Sequence, residues 1–186
     1  MGNIAYRLNV FGLAGIAFAL YFALAWQITF GELPCPLCTL QRAGFAAAGL
    51  GLLLNVRFDT HPAHYGAAIL GAGVGAATSL RQVLLHIVPG SGAYGSALSG
   101  YHFYTSAFVG LTAIIGFCAL LLLLGLRDGV RQTAPRALAG TAKWAVWAFV
   151  AAVALVLAAG FPECGFGPCP DDPTGYWLLG TGRTGN

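Results

Sequence analysis

The chain of 186 residues is 58% hydrophobic and only 8% charged, against about 25% charged residues in an ordinary soluble domain. So little charge excludes a large soluble core and points to lipid as the solvent, with membrane lipid as the first expected partner. The net charge of +3 is too small for a nucleic-acid binder, and no basic run carries interleaved aromatics.

Five segments are long enough to cross a bilayer at roughly 20 residues per crossing: about 8–30, 38–56, 66–88, 105–126 and 143–161. The first, from Leu8 to Phe30, exceeds the roughly 7–15 residues of a signal-peptide core and is read as a retained helix. Small residues let membrane helices approach closely, so Gly49 and Gly51 in the second segment and Gly71, Gly73 and Gly75 in the third are expected at tight contacts. Loosely tolerated glycines are the plainer alternative.

Charge sets the expected orientation. With the amino terminus inside, Arg7, Arg57, Arg127, Arg131, Arg136 and Lys143 lie on the cytoplasmic side. Glu32, Glu163, Asp171 and Asp172 then lie in outer connections, where Arg183 is the one basic residue. This bias predicts N-in, C-out topology. Residues 57–65 form a short inner turn, and 89–104 an outer Gly/Ser-rich stretch ending in aromatics. Tyr101, Phe103 and Tyr104 are expected in an interfacial belt, as are Trp144 and Trp147 at the other interface.

Five cysteines sort against this topology. Cys35-Pro-Leu-Cys38 falls between the first two helices, Cys164-Gly-Phe-Gly-Pro-Cys169 just past the fifth, and Cys118 inside the fourth. Both pairs land on the outer face, the oxidising side of a bacterial inner membrane, where disulfides persist. A Cys-x-x-Cys ring is too small to restrain the chain much, but it makes a good redox switch. Cys38 sits near a helix amino terminus, which favours an anion. Arg42, one turn on and on the same face, would further stabilise a thiolate. A charge just inside a membrane is functional by default.

His86 falls in the last outer turn of the third helix at about the depth of Arg42, with Gln82 one turn below it. Such a His–Arg pair could hydrogen-bond both carbonyls of a quinone ring; a satisfied interfacial histidine is the plainer reading. Arg81 faces elsewhere as a structural partner. The glycines and proline between Cys164 and Cys169 make a loop able to close a small disulfide, either a staple or a pair that exchanges with Cys35–Cys38. Cys118 reads as a buried apolar filler.

Other functions fit parts of the pattern. Four thiolates can hold tetrahedral zinc, but the oxidising compartment and Arg42 argue against a metal. An outward carrier of reducing equivalents needs cysteines reaching the inner side, where Cys118 stands alone. A non-enzymatic scaffold would use both outer disulfides as staples. The four outer cysteines allow three connectivities.

At Cys35-Pro-Leu-Cys38-Thr-Leu-Gln41-Arg42 the chain resembles the DsbB disulfide-formation family, in which such a pair heads the second membrane helix and an arginine four residues later contacts quinone. Ser79-Leu-Arg-Gln82-Val-Leu-Leu-His86 is similar to the family's third helix, whose histidine lies by the quinone. The likeness covers roughly residues 8–126. It implies an all-α membrane protein with a four-helix DsbB-like core at 1–126. A cytoplasmic basic loop (127–142), a fifth transmembrane helix (143–161) and a periplasmic tail with the second cysteine pair (162–186) follow.

The resemblance also implies chemistry. Cys38, as thiolate, would engage a ubiquinone-like ring with Arg42, His86, Gln41 and Gln82 as binding residues, and the quinone pool would take the electrons. Cys35, expected to be the more exposed partner, would exchange with Cys164 and Cys169, which would oxidise a periplasmic thioredoxin-fold protein of the DsbA kind. Two departures stand out. The family's second pair lies between helices three and four, where this chain has no cysteine, and Gln41 and Leu85 stand where the family has acidic residues.

Overall fold

The computed structural model describes residues 2–88, 90, 92–98, 100–125, 135–165, 175, 176 and 178. Five helices carry the chain: α1 (Gly2–Phe30), α2 (Pro36–Arg57), α3 (Pro62–Leu85), α4 (Phe103–Leu123) and α5 (Gly140–Cys164). Each is long and apolar enough to cross a membrane. Large apolar side chains such as Phe11, Leu70 and Leu123 are more than 70% exposed on the outside of the bundle, as a lipid solvent permits. The protein is an all-α, multi-pass membrane protein. A two-residue antiparallel pair, β1 (Ala97–Leu98) with β2 (Tyr101–His102), interrupts the α3–α4 connection.

Two helix starts use one device. Cys35 and His61 are extended cap residues, each followed by a proline that opens the helix. Proline suits a first turn because its fixed φ is already helical and no bonded N–H is lost. The Cys35 sulfur accepts from the Cys38 N–H at 3.1 Å, and His61 Nδ1 accepts from Ala63 N–H at 3.2 Å. The first cysteine of the motif is thus also the cap of the helix that carries the second.

Helix α5 runs one turn past the expected limit at residue 161. Pro162 lies inside it and forgoes one i→i−4 bond, and Gly165 (φ 59°) closes the helix with its N–H on Phe161 O at 2.8 Å. Glu163, expected in an outer connection, is therefore a helix residue.

Helix α2 packs on α3, α3 on α4, and α1 on both α2 and α5. The fifth helix therefore sits against α1, away from the α3–α4 side. Backbones meet where side chains vanish: a Cβ on Gly44 would lie 2.5 Å from Gly75 Cα, and one on Gly71 would lie 2.7 Å from Ala48 N. Gly51 faces Ala68 as closely, and Gly49 receives the Phe149 ring of α5. Gly73 differs from expectation, since it opens on empty space; it falls on the outward side of a helix whose contact face is set by Gly71 and Gly75.

A buried polar network closes the end of the bundle opposite the Cys-x-x-Cys pair. Asn9 donates to Tyr65 Oη (2.6 Å) and Ala5 O (2.8 Å), Asn55 donates to Asn9 Oδ1 (2.9 Å), and Asn55 Oδ1 accepts from His61 N–H (3.0 Å). The Arg136 guanidinium lies 4.6 Å over the Tyr6 ring, and the Arg136 backbone N–H donates to Arg57 O at 2.6 Å. Arg127, Arg131, Arg183, Asp171, Asp172 and Trp177 lie outside the described residues.

Candidate functional site

Cys35 and Cys38 are joined as a disulfide at the head of α2, with their Cα atoms 5.0 Å apart. The exposure expected of them is reversed. Cys35 is 5% exposed, whereas Cys38 is half-buried. The cause is local, because the Cys35 side chain folds inward to cap the helix while Cys38 lies a turn further on. Helix α3 brings Gln82 beneath both sulfurs. Its Nε2 donates to Cys35 Sγ at 3.3 Å and approaches Cys38 Sγ at 3.7 Å. Its Oε1 accepts from Gln41 Nε2 at 2.7 Å and lies 3.8 Å from Cys38 Sγ. A carbonyl oxygen has two lone pairs, so the Gln82 amide can donate to a disulfide and accept from a thiol. Gln41 and Gln82 are both buried.

Arg42 reaches the other way, toward α1. Its guanidinium donates to Gln27 Oε1 at 2.6 Å and to Ala23 O at 3.2 Å, two of its five N–H donors. Beside it lies a cavity of about 270 Å³ between α1, α2, α4 and the segment around Tyr94. Trp26, Phe45, Phe103 and Tyr104 form aromatic walls, with Cys38, Gln41 and Arg42 on the α2 side. Phe18 and Phe22 stand at its rim, 71% and 37% exposed on the outside of the bundle. Gln27 also lines the cavity, and its Nε2 is buried without a hydrogen-bond partner. Aromatic walls, a side open to lipid and a buried donor left unmatched suit a planar apolar ring carrying carbonyl oxygens. Phe103 and Tyr104, expected only as interfacial belt residues, are thus walls of the site. Tyr104 is 6% exposed.

A strap closes the cavity. Tyr94 Oη donates to Leu33 O at 2.7 Å. Ser96 donates twice to the Glu32 carboxylate, from its N–H at 3.1 Å and from its hydroxyl. The Ser96 hydroxyl is the chief cause holding the Glu32 carboxyl below its usual range. The Trp26 indole N–H leans toward this carboxylate and helps in the same direction, without reaching hydrogen-bond geometry.

His86 is the cap residue at the end of α3, with Nδ1 2.8 Å from Gln82 O. Its ring stacks on Tyr104 at 5.4 Å, and Tyr104 stacks on His102 at 5.2 Å. Tyr104 lines the cavity, so the imidazole stands one ring behind that wall, while Arg42 borders the cavity itself. Gln82 also stays off the wall, held at the sulfurs. Arg81 is exposed, and Cys118 is a free, fully buried thiol. Cys169 and the Cys164 side chain lie outside the described residues. Two residues emerge that the sequence reading missed. Gln27 is a polar residue deep in an apolar span, a signal that was available. Glu163, assigned above to an outer connection, is 0% exposed, with neither carboxylate oxygen hydrogen-bonded.

A family model described as "Disulfide bond formation protein DsbB" matches residues 6–161, which takes in the whole site and most of α5. The chain belongs to the DsbB family. Three proteins named "Disulfide bond formation protein B" are similar to it. The one from Marinobacter nauticus is 31% identical, covering 68% of this chain and 94% of the relative. The one from Chromobacterium violaceum is 43% identical over 41% of this chain and 48% of the relative. The one from Stutzerimonas stutzeri is 35% identical over 44% and 53%. The chain therefore spans about half the length of two of these DsbB relatives. No solved structure matches it. The matched stretch includes the Cys35–Cys38 disulfide at the head of α2.

Proposed function

We propose that this DsbB-family chain is a thiol:quinone oxidoreductase that makes disulfides de novo in the bacterial inner membrane and passes them to a periplasmic thioredoxin-fold protein of the DsbA kind. The observation that carries the reading is the juxtaposition of a Cys-x-x-Cys disulfide with an aromatic cavity that Cys38 and Arg42 both line. The excess of basic residues opposite the cysteine end supports N-in, C-out topology, which puts both cysteine pairs on the periplasmic side.

In this reading the walls of Trp26, Phe45, Phe103 and Tyr104 hold the ring, and Gln27 Nε2 and Arg42 supply donors to its oxygens. A bound quinone supplies an acceptor for two electrons and two protons. Cys38 faces that acceptor, its thiolate favoured by the helix amino terminus and by Arg42. Gln41 and Gln82 hold the sulfurs, and His86 steadies Tyr104 from behind. Cys35 is covered, so exchange with Cys164 and Cys169 requires its sulfur to be uncovered first. The second pair then oxidises the soluble partner.

The test uses purified, reduced protein and a short-chain ubiquinone analogue, with quinone loss followed by absorbance. Cys38→Ser should reduce the rate to background, and full activity in that variant would end the reading. Thiol trapping in cells with and without quinone checks the direction of flow: reduced Cys35 and Cys38 should accumulate only when quinone is missing.

A further inference from the structure

Helix α5 packs on α1, yet an open groove of about 640 Å³ runs between them, within the roughly 300–1,000 Å³ usual for ligand sites. Small side chains keep it open: Ala14 and Ala17 on α1, Ala145 and Ala148 on α5. Phe11 and Trp144 line it with rings that are 74% and 76% exposed. Its polar end is made by Arg7 of α1 and Thr141 of α5, near the starts of the two helices and both exposed. Among the described residues the Arg7 guanidinium has no hydrogen-bond or ion-pair partner, and no carboxylate lines the groove. A second guanidinium, that of Arg136, lies 4.6 Å over the ring of Tyr6, another lining residue. The groove is therefore positive at one end and apolar along most of its length.

Length and charge together identify the occupant. Tyr21, the last lining residue of α1, lies 14 residues beyond Arg7, which is about 21 Å at the helical rise. A bilayer with its headgroup regions is about 40–45 Å thick, so each leaflet has about this depth. A phospholipid of one leaflet sets its phosphate at the interface and its chains toward the midplane, which is the order of cation and apolar run along the groove. A second copy of the chain fits less well. A two-fold dimer across this face would hold Arg7 at the same depth as its own copy, cation against cation. We propose that the α1–α5 groove is a binding site for an anionic phospholipid, with the phosphate at Arg7 and Thr141 and an acyl chain along Phe11, Ala14 and Phe18. Arg7 gives the phosphate a charge-assisted donor, and the Thr141 hydroxyl gives a neutral one. Neither Cys35 nor Cys38 lines the groove, so the site stands or falls apart from the oxidase reading.

The test is native mass spectrometry of the full-length protein in detergent, titrated with dioleoylphosphatidylglycerol or dioleoylphosphatidylcholine. One phosphatidylglycerol should bind about fivefold more tightly than phosphatidylcholine, the preference that one arginine gives an anionic headgroup. Arg7→Gln should abolish the preference; the side chain is exposed and bonds nothing among the described residues, so the variant should fold as the wild type does. Lys143→Gln removes an exposed cation at the same end of α5 that does not line the groove, and should leave the preference intact. Ala14→Phe fills the groove without touching its charge and should weaken both lipids together. Free glycerol 3-phosphate should not compete, because the groove holds a chain as well as a phosphate. Equal affinities for the two lipids in the wild type overturn the proposal, as do equal losses in Arg7→Gln and Lys143→Gln. Unchanged binding in Ala14→Phe, or competition by glycerol 3-phosphate, overturns it too. A dimer that Ala14→Phe splits would make a second copy the occupant and end the lipid assignment.

Discussion

The two ends of the bundle bury similar kinds of side chain and treat them in opposite ways. At the Arg57 end, Asn9, Asn55, Tyr65 and His61 pass hydrogen bonds from helix to helix, and His64 Nδ1 lies 3.1 Å from Asn55 Oδ1. At the cysteine end, Gln27 Nε2 and both oxygens of Glu163 are buried without partners. Buried polar atoms are nearly always paired, because an unpaired one costs about 1–3 kcal/mol. One end is therefore a closed network, and the other leaves buried polar groups unmatched, with Gln27 at the cavity wall.

The comparison can be broken from either side. The largest effect belongs to Arg42→Ala, which should cut quinone reduction by about 100-fold, the usual loss of one preorganised donor, and slow Cys38 alkylation at neutral pH. Because Gln27 Oε1 and Ala23 O lose their donor, unfolding in detergent should also shift, by about 1–3 kcal/mol; a loss of stability with unchanged turnover would make Arg42 part of a closed network. Next, Asn55→Ala leaves Asn9 and the His61 N–H unmatched and should lower stability by about 1–3 kcal/mol, measured by denaturant unfolding. Quinone reduction per folded molecule should stay at the wild-type level, and a drop would mean the two ends communicate.

The smallest effect concerns the strap. The Glu32 carboxyl is held below its ordinary value of 4.5 by the Ser96 hydroxyl. A depressed carboxylate stabilises the closed strap above that ordinary value, and this contribution disappears as pH falls through the folded value. Hydrogen exchange at the Ser96 N–H should therefore be slow at neutral pH and gain protection no further above it. Its protection, taken relative to the intrinsic exchange rate at each pH, should fall under acid conditions. Glu32→Gln should remove the acid dependence, and a retained dependence would assign the strap to another group.

Local features were readable from the chain alone. Spans follow from runs of apolar residues, and Cys38 and Arg42 share a face because four residues make about one turn. Features that depend on which helices are neighbours were not readable. Arg42 is bonded to Gln27 and Ala23 of α1, and hydropathy does not say that these helices touch. Glu163 looked like a loop residue because Pro162 normally ends a helix, yet the turn continues and carries it inward. Cys35 looked exposed because it precedes a helix, but capping that helix draws its sulfur in. Tyr104 gave no periodic sign separating a cavity wall from a belt residue.

The contact of Gly44 with Gly75, where a Cβ would stand 2.5 Å from the facing Cα, has a mechanical consequence. Gly44 lies six residues below Cys38, about 9 Å along the axis, and Gly75 seven below Gln82. The two backbones therefore meet at a fulcrum just under the sulfurs, and short lever arms fix the spacing between Gln82 and the disulfide. Movement that admits a partner must then come from the far side of the cavity, where α1 and the strap meet α2 through side chains that can slide.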